Sequence, residues 1–298
     1  MRFIDDAKSN LSDSNIRHYI RGIVSGLEQM RQESTPAYWR KLAPAIRTHS
    51  ALQLAYKCPF TRHGAERPFG YPGDATLIDH IYGYVEPPAE PDARQLYAYT
   101  TTTAASRAVR FRRGVMANYI DDALNWHGNE TAIFSVACGH LRELDLSIAC
   151  KRIRPARFIA LDQDEPSLAK VREQYAGLGV STVPASVAEI IAGKRSYRNM
   201  DLVYSSGLYD YLNQKLSIRL TQKLFSMLAP GGKLVFVNFL PDIRDAGYME
   251  AVMDWWLIHR DEEAMLDILN GLPGAEVASH HQFTDPDRNV SFMEVVRN

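Results

Sequence analysis

A change of periodicity near residue 128 constrains this chain more than any other feature of its sequence. From residue 131 onward, short apolar runs alternate with helical segments. Strands are expected at 131–136, 157–161, 180–184, 201–205 and 233–239, and helices at 141–151, 167–176, 187–192, 214–228, 248–259 and 262–269. Such alternation builds a parallel, doubly wound sheet, because each parallel crossover needs a helix to return the chain. Segments 276–282 and 290–296 break the rhythm. Only Thr284-Asp-Pro-Asp-Arg-Asn289 separates them, which predicts an antiparallel hairpin at one edge. Pro230-Gly-Gly232 reads as the turn that admits strand 233–239.

Before residue 128 the pattern is helical, at 14–33, 37–48, 75–84 and 91–125, the last in one or more pieces. The first helix sets Ile16, Tyr19, Ile20, Ile23 and Leu27 on one stripe. Between helices, the run from Cys58 to Asp74 is dense in Pro and Gly and is expected to be loop throughout. Two domains follow from this reading: residues 1–113 as a helical cap and substrate lid, and 114–298 as the sheet domain.

Composition narrows the class. Among 298 residues, 46% are hydrophobic and 23% charged, which a packed core accommodates and wholesale disorder does not show. Lys plus Arg number 34 against 35 Asp plus Glu, so no chain-wide basic footprint for nucleic acid exists. No apolar run approaches a membrane span, and the opening Met-Arg-Phe-Ile-Asp-Asp lacks the apolar core of a secretion signal. Cys58, Cys138 and Cys150 form no Cys-x-x-Cys pair, so neither a disulfide framework nor a metal site is expected. These features read as a cytoplasmic protein with a small-molecule ligand, with a homodimer left open.

The first strand leads into Val136-Ala-Cys-Gly-His-Leu-Arg-Glu143, with one glycine where a dinucleotide fold normally shows three. NAD is therefore not the expected ligand. Small residues Ala137 and Gly139 still let a ligand approach the backbone. Asp162 ends the second strand about twenty residues on, placed to hold ribose hydroxyls. Asp164 precedes Glu165-Pro-Ser167 and reads as a helix cap. Ser205-Ser-Gly-Leu-Tyr-Asp-Tyr211 is a polar and aromatic cluster after the fourth strand.

The series Ile133-Phe-Ser-Val-Ala-Cys-Gly139, Phe158-Ile-Ala-Leu-Asp-Gln-Asp164, Asp201-Leu-Val-Tyr-Ser-Ser-Gly207 and Leu228-Ala-Pro-Gly-Gly-Lys-Leu-Val235 resembles class I S-adenosylmethionine-dependent methyltransferases over residues 131–298. The resemblance implies a seven-stranded Rossmann-like sheet, mostly parallel, ending in a reversed hairpin. The family's Gly-x-Gly-x-Gly appears here as Ala137, Gly139 and Leu141, and Ser135 stands where an acid is usual. A narrower resemblance covers nearly the whole chain. Arg67-Pro-Phe-Gly-Tyr-Pro-Gly-Asp-Ala75, Tyr204 to Leu212, Asn238-Phe239, and Tyr248-Met-Glu through Asp254-Trp-Trp-Leu-Ile-His-Arg260 are similar to a bacterial subgroup described as 3-hydroxypalmitic acid methyl ester synthase-like. Family roles then place Gly139 under the methionine portion of the donor and Asp162 on its ribose. Gln163 flanks the adenine or is a solvated strand end. In Ala185-Ser-Val187, Ser186 or a backbone amide replaces the Asp that often contacts the adenine amine. Ser205 and Gly207 border the sulfonium.

Methyl transfer from a sulfonium is an in-line displacement, so alignment and water exclusion matter most, with a base only where the acceptor loses a proton. The run from Arg67 to Asp74 is the candidate lid. Tyr71 faces the sulfonium or packs; Asp74 binds the donor's amino group, acts as base or caps the next helix; Arg67 clamps a carboxylate or forms a surface ion pair. Asp210 is the base candidate in the sheet domain, or a helix-entry residue. Tyr82, Tyr204, Tyr209, Tyr211 and Trp255 line the acceptor pocket or fill the core. Asn238 is polar inside an apolar strand and is expected to face the site. Arg107, Arg110, Arg112 and Arg113 form a basic helical face that reads as a solvated or acid-paired surface, from which Arg110 could still reach the methionine carboxylate. Arg260 neutralises a helix C-terminus or clamps substrate. The expected function is methylation of a small carboxylic or hydroxy acid. A small amine or amino acid, or a non-catalytic S-adenosylmethionine-binding regulator, is the alternative.

Overall fold

The computed structural model describes residues 16–298, so Ser14, the expected start of the first helix, lies outside the described residues. The chain divides into two compact units: residues up to 110 with 242–256, and residues 111–241 with 257–298.

In the second unit, seven strands form one sheet. They are β1 (Ala132–Val136), β2 (Arg157–Asp162), β3 (Val180–Pro184), β4 (Met200–Ser205), β5 (Leu228–Phe239), β6 (Val277–Thr284) and β7 (Val290–Arg297). Their order is β3-β2-β1-β4-β5-β7-β6. The first five are parallel, whereas β7 runs antiparallel to both β5 and β6. The sequence expectation of a Rossmann-like sheet closed by a reversed hairpin is met. Helices Glu165–Tyr175, Val187–Ile191 and Gln214–Phe225 return the chain between parallel strands. One side of the core joins Phe134, Leu161, Val203, Leu220 and Phe236. Every residue of β1 is buried, as expected for a central parallel strand covered on both faces.

Strand β5 starts earlier than its pattern suggests. It runs through Pro230-Gly-Gly232 rather than beginning after a turn, and pairs Met200 with Leu228 and Leu202 with Lys233 across an irregularity. Gly231 has φ +77°, and a Cβ on Gly232 would stand 2.5 Å from the Met200 carbonyl oxygen. The run is thus a bulge that two glycines make sterically possible. The expected helix 141–151 is replaced by 3₁₀ turns at Arg142–Asp145 and Ala149–Lys151. Asp121 diverts the chain there, accepting the Ile148 and Ala149 amides at 2.9 Å each.

The first unit contains helices Ile16–Glu33, Pro36–Arg47, Pro59–Glu66, Ala75–Tyr82 and Pro91–Thr100. Helix Ile16–Glu33 buries Ile16, Tyr19, Ile20, Ile23 and Leu27, the stripe read from its period, together with Val24. Against it lies Ala246–Ala251. Gly247 approaches so closely that a Cβ would stand 2.7 Å from Leu27 backbone, and its amide donates to Glu28 at 2.8 Å. Trp39 Nε1 and Arg31 Nε both donate to Glu250, at 2.6 and 2.9 Å.

Two expectations fail here. Residues 58–74 are not loop throughout, because Pro59–Glu66 is a helix. Pro59 occupies its first turn, where a missing N–H costs nothing. Gly64 lies against Met253, whose Cε would be 2.6 Å from an added Cβ. Similarly, the helix expected over 248–259 stops at Ala251, after which Asp254 takes φ 52°. Arg47 and Arg67 both bind Asp254 and hold the extended path.

Candidate functional site

In an open α/β sheet, ligands sit beyond the carboxyl ends of the strands, at the reversal of strand order. That reversal lies between β1 and β4. The turn leaving β1 carries three left-handed residues, Ala137 (φ 54°), Gly139 (φ 52°) and Leu141 (φ 53°). For Ala and Leu this conformation costs about 1–2 kcal/mol each, a strain that must be held by neighbours. Asp162, ending β2, is the main fastener. Its Oδ2 accepts the Gly139 amide at 2.8 Å and its Oδ1 the Asp164 amide at 2.9 Å. Burial pushes the Asp162 carboxyl up, while those amides draw it down. Ser205 Oγ donates to the Val136 carbonyl at 2.9 Å and ties the ends of β4 and β1.

The remaining donor candidates line the same edge. Gln163 is exposed, while Ala137, Gly139, Ser186, Val187 and Gly207 are half-buried. The Ser186 amide donates to Glu189 at 3.1 Å, fixing the start of Val187–Ile191. Asp164 accepts the Ser167 amide at 2.9 Å and is the cap that the sequence indicated.

Beyond β4 the structure separates polar groups with free capacity from those without it. Arg260 Nε donates to Gln214 at 2.9 Å. One terminal nitrogen serves the Tyr209 carbonyl (2.8 Å) and Asn238, and the other the Leu212 carbonyl and Ser217 (3.1 Å). That uses all five N–H donors of a guanidinium. Asn238 Nδ2 in turn donates to the Phe239 and Ile258 carbonyls, at 3.0 and 2.8 Å. Neither keeps a donor for substrate, so Arg260 and Asn238 form a structural knot in place of the clamp considered for Arg260 and the site-facing position expected of Asn238. Tyr209 stacks on Phe236 at 4.3 Å and bonds Thr221, and Tyr204 donates to Glu143 at 2.6 Å. Both tyrosines are core, and burial pushes Glu143 up. Tyr211, by contrast, is exposed.

Asp210 is buried. Its Oδ1 accepts the Phe239 amide at 2.7 Å, its carbonyl accepts the Ile258 amide at 2.7 Å, and burial raises its pKa to about 6. Arg112 and Arg260 are both cationic neighbours, and Arg112 is the one at ion-pair distance, 3.8 Å. The basic face expected of the helix Ala104–His127 does not exist as such. Arg107 is exposed, Arg110 donates to the Thr101 carbonyl at 2.7 Å, and Arg113 donates to the Arg142 carbonyl at 2.9 Å. Arg112 is only 6% exposed. The signal was present in the sequence: Ala108, Arg112, Met116, Ile120 and Leu124 recur every four residues, so one cation stands in an apolar stripe.

The helical unit holds the other candidates. Asp74 caps Ala75–Tyr82 by accepting the Leu77 amide at 2.9 Å, and it also binds His63 Nε2 at 2.8 Å. Sequence reasoning missed His63, because nothing marks it as sharing a carboxylate eleven residues away. His80, 5.9 Å from His63 between ring centroids, is held neutral by burial, its pKa lowered to about 4. Arg67 binds both the carbonyl and the carboxylate of Asp254. Tyr71 and Tyr82 are half-buried, and Trp255 is buried beside a small cavity shared with Phe60, Ser106 and Asp245. Among the described residues, no group of three or more His, Cys, Asp or Glu could hold a metal ion, and no helix is long and apolar enough to cross a membrane.

No family model matches the sequence, and no curated protein matches it either. Solved structures do resemble the fold. A possible exported protein from Bordetella parapertussis superposes with a TM-score of 0.63 at 16% identity, covering 87% of this chain and 94% of its own. Magnesium protoporphyrin IX methyltransferase (ChlM) from Synechocystis PCC 6803, with bound SAH, superposes with a TM-score of 0.51 at 12% identity, covering 80% of this chain and 97% of its own.

Proposed function

We propose that the sheet unit binds S-adenosylmethionine along the ends of β1 to β4 and that the protein transfers its methyl group to a small acceptor, first a carboxylic or hydroxy acid. The observation that carries this reading is the strained turn Ala137–Leu141, held against Asp162 where the strand order reverses. Backbone strain concentrates where a ligand must meet a fixed main chain. The fold shared with ChlM supports the reading, as do the motif resemblances in the sequence. The residues present fit such a donor: the turn lacks bulk at Gly139, Asp162 presents a carboxylate for ribose hydroxyls, and Gln163, Ser186 and Val187 border the adenine position. Ser205 and Gly207 lie toward the reacting end.

When bound, the donor supplies an electrophilic methyl carbon already attached to its leaving group. The protein's own residues then need to orient and desolvate. The knot around Arg260 fixes the Gly207–Leu212 turn, and Ser205 fixes β4 against β1.

Calorimetry with S-adenosylhomocysteine tests donor binding, and a mass-shift assay across acid and amine pools tests the acceptor. Asp162→Ala is expected to weaken S-adenosylhomocysteine by about 1.5–3 kcal/mol, the worth of a charge-assisted hydrogen bond. Wild-type affinity in that variant removes Asp162 from the ribose site. Methylation of amines alone would replace the acid by the amine reading.

A further inference from the structure

We infer that Arg112 is the carboxylate receptor of this site, a role that rests on the donor-binding reading above and adds the group that recognises an anionic ligand end. Arg112 stands alone among the arginines of its helix in being enclosed: it is 6% exposed, and its Nε is buried without any hydrogen-bond partner. A guanidinium cannot shed its proton to escape that cost. The partner within reach is Asp210, and 3.8 Å is an ion-pair separation rather than a hydrogen bond. Asp210 has also committed one oxygen to the Phe239 amide. Arg112 therefore holds a buried charge that its surroundings only half satisfy.

Its position gives that deficit a direction. The guanidinium lies 5.8 Å from the ring centroid of Phe239, the last residue of β5. One terminal nitrogen is 3.3 Å from where a Cβ on Gly207 would stand, two residues beyond the end of β4. Glycine there leaves the edge of the guanidinium clear of a side chain. The arginine thus sits at the carboxyl ends of β4 and β5, beside the residue that borders the reacting end of the proposed donor. A planar fork at such a place matches a carboxylate with two parallel N–H bonds, which a lysine cannot reproduce. Two ligand ends carry that group: the amino-acid end of the donor and the acid acceptor.

Calorimetric titration distinguishes them. The ligands are S-adenosylhomocysteine, 5′-methylthioadenosine, which lacks the amino-acid end, and 3-hydroxybutyrate added to protein saturated with S-adenosylhomocysteine. Each is titrated into wild type, Arg112→Gln and Arg112→Lys, with melting temperatures measured alongside. A loss of about 10- to 150-fold for S-adenosylhomocysteine in Arg112→Gln, with methylthioadenosine unchanged, assigns the donor's carboxylate. Unchanged nucleoside affinities with loss of the 3-hydroxybutyrate heat assign the acceptor's carboxylate. Equal losses for both nucleosides, or no difference from wild type for any of the three ligands, overturn the inference. If Arg112→Gln does not fold, Arg112→Lys keeps the charge, loses the fork and yields the same readings. Wild-type protein that binds neither nucleoside overturns the donor-binding reading itself, which separates that failure from the failure of Arg112.

Discussion

Two arginines of the sheet unit are equally buried and differently treated. Arg260 has every donor matched to a carbonyl, an amide oxygen or a hydroxyl, whereas Arg112 has an orphaned Nε and one carboxylate at ion-pair distance. The contrast shows how to read buried charge. A saturated cation is architecture, since any ligand would have to displace existing bonds. An unsaturated cation at a strand end retains bonding capacity that the fold has not consumed.

The most severe way to test this contrast is to delete the saturated member. Arg260→Gln leaves the Tyr209 and Leu212 carbonyls and Asn238 short of donors inside the core. We expect a stability loss of about 3–5 kcal/mol by urea unfolding. Arg112→Gln is expected to lose less than half as much. Equal losses would abolish the distinction between the two.

The carboxylate between them sharpens the comparison through pH. Asp210 has its folded pKa raised to about 6, above its unfolded value. The folded state thus holds its proton where the unfolded state releases it. Its contribution is fully present below the unfolded pKa of about 4 and is lost as pH rises to about 6, by roughly 2–3 kcal/mol in total. Buried His80 acts oppositely. Its pKa is lowered to about 4, so protonation of the unfolded chain removes stability as pH falls from about 6.5 to 4. The measurement is therefore a difference: the stability of Asp210→Asn relative to wild type should improve from pH 4 to 6 and level off above. A flat difference would mean that Arg112 satisfies Asp210 more fully than 3.8 Å implies.

The smallest expected effect concerns the turn. Ala137→Gly removes a left-handed Cβ and should raise stability by up to about 1 kcal/mol in thermal unfolding. Donor affinity should fall slightly, because the turn becomes less ordered before binding. A destabilised variant would show that the Ala137 methyl packs better than its backbone strain costs.

The sheet was legible because period and order are local properties: β1 to β5 and the closing hairpin announce themselves by apolar runs and the lack of a helix between the last two. Composition misled at Pro59–Glu66, where one proline sits at the only helical position that tolerates it and one glycine answers to Met253, nearly two hundred residues away. Arg112 was hidden by neighbouring arginines, since a charge run reads as a solvated face until its period is followed. Glu143 and His63 gave no signal at all, because their partners Tyr204 and Asp74 are set by tertiary structure. The knot around Arg260 is illegible for a similar reason: two of its acceptors are the carbonyls of Tyr209 and Leu212, and main-chain carbonyls have no signature in sequence.

The seat of Gly247 against Leu27 carries a consequence for synthesis. The helical unit draws its last segment, 242–256, from beyond β5, so the helix Ile16–Glu33 lacks part of its core until about 210 further residues have been made. At about 5–20 residues per second, the apolar stripe of Ile16–Glu33 waits tens of seconds or less for Ala246–Ala251 to arrive. Over the same interval β5 emerges, while β7, which pairs with it, follows only after a further fifty residues or so. Both units are closed by segments translated long after their first elements, so vulnerability to proteases and to misassembly is concentrated in the nascent state.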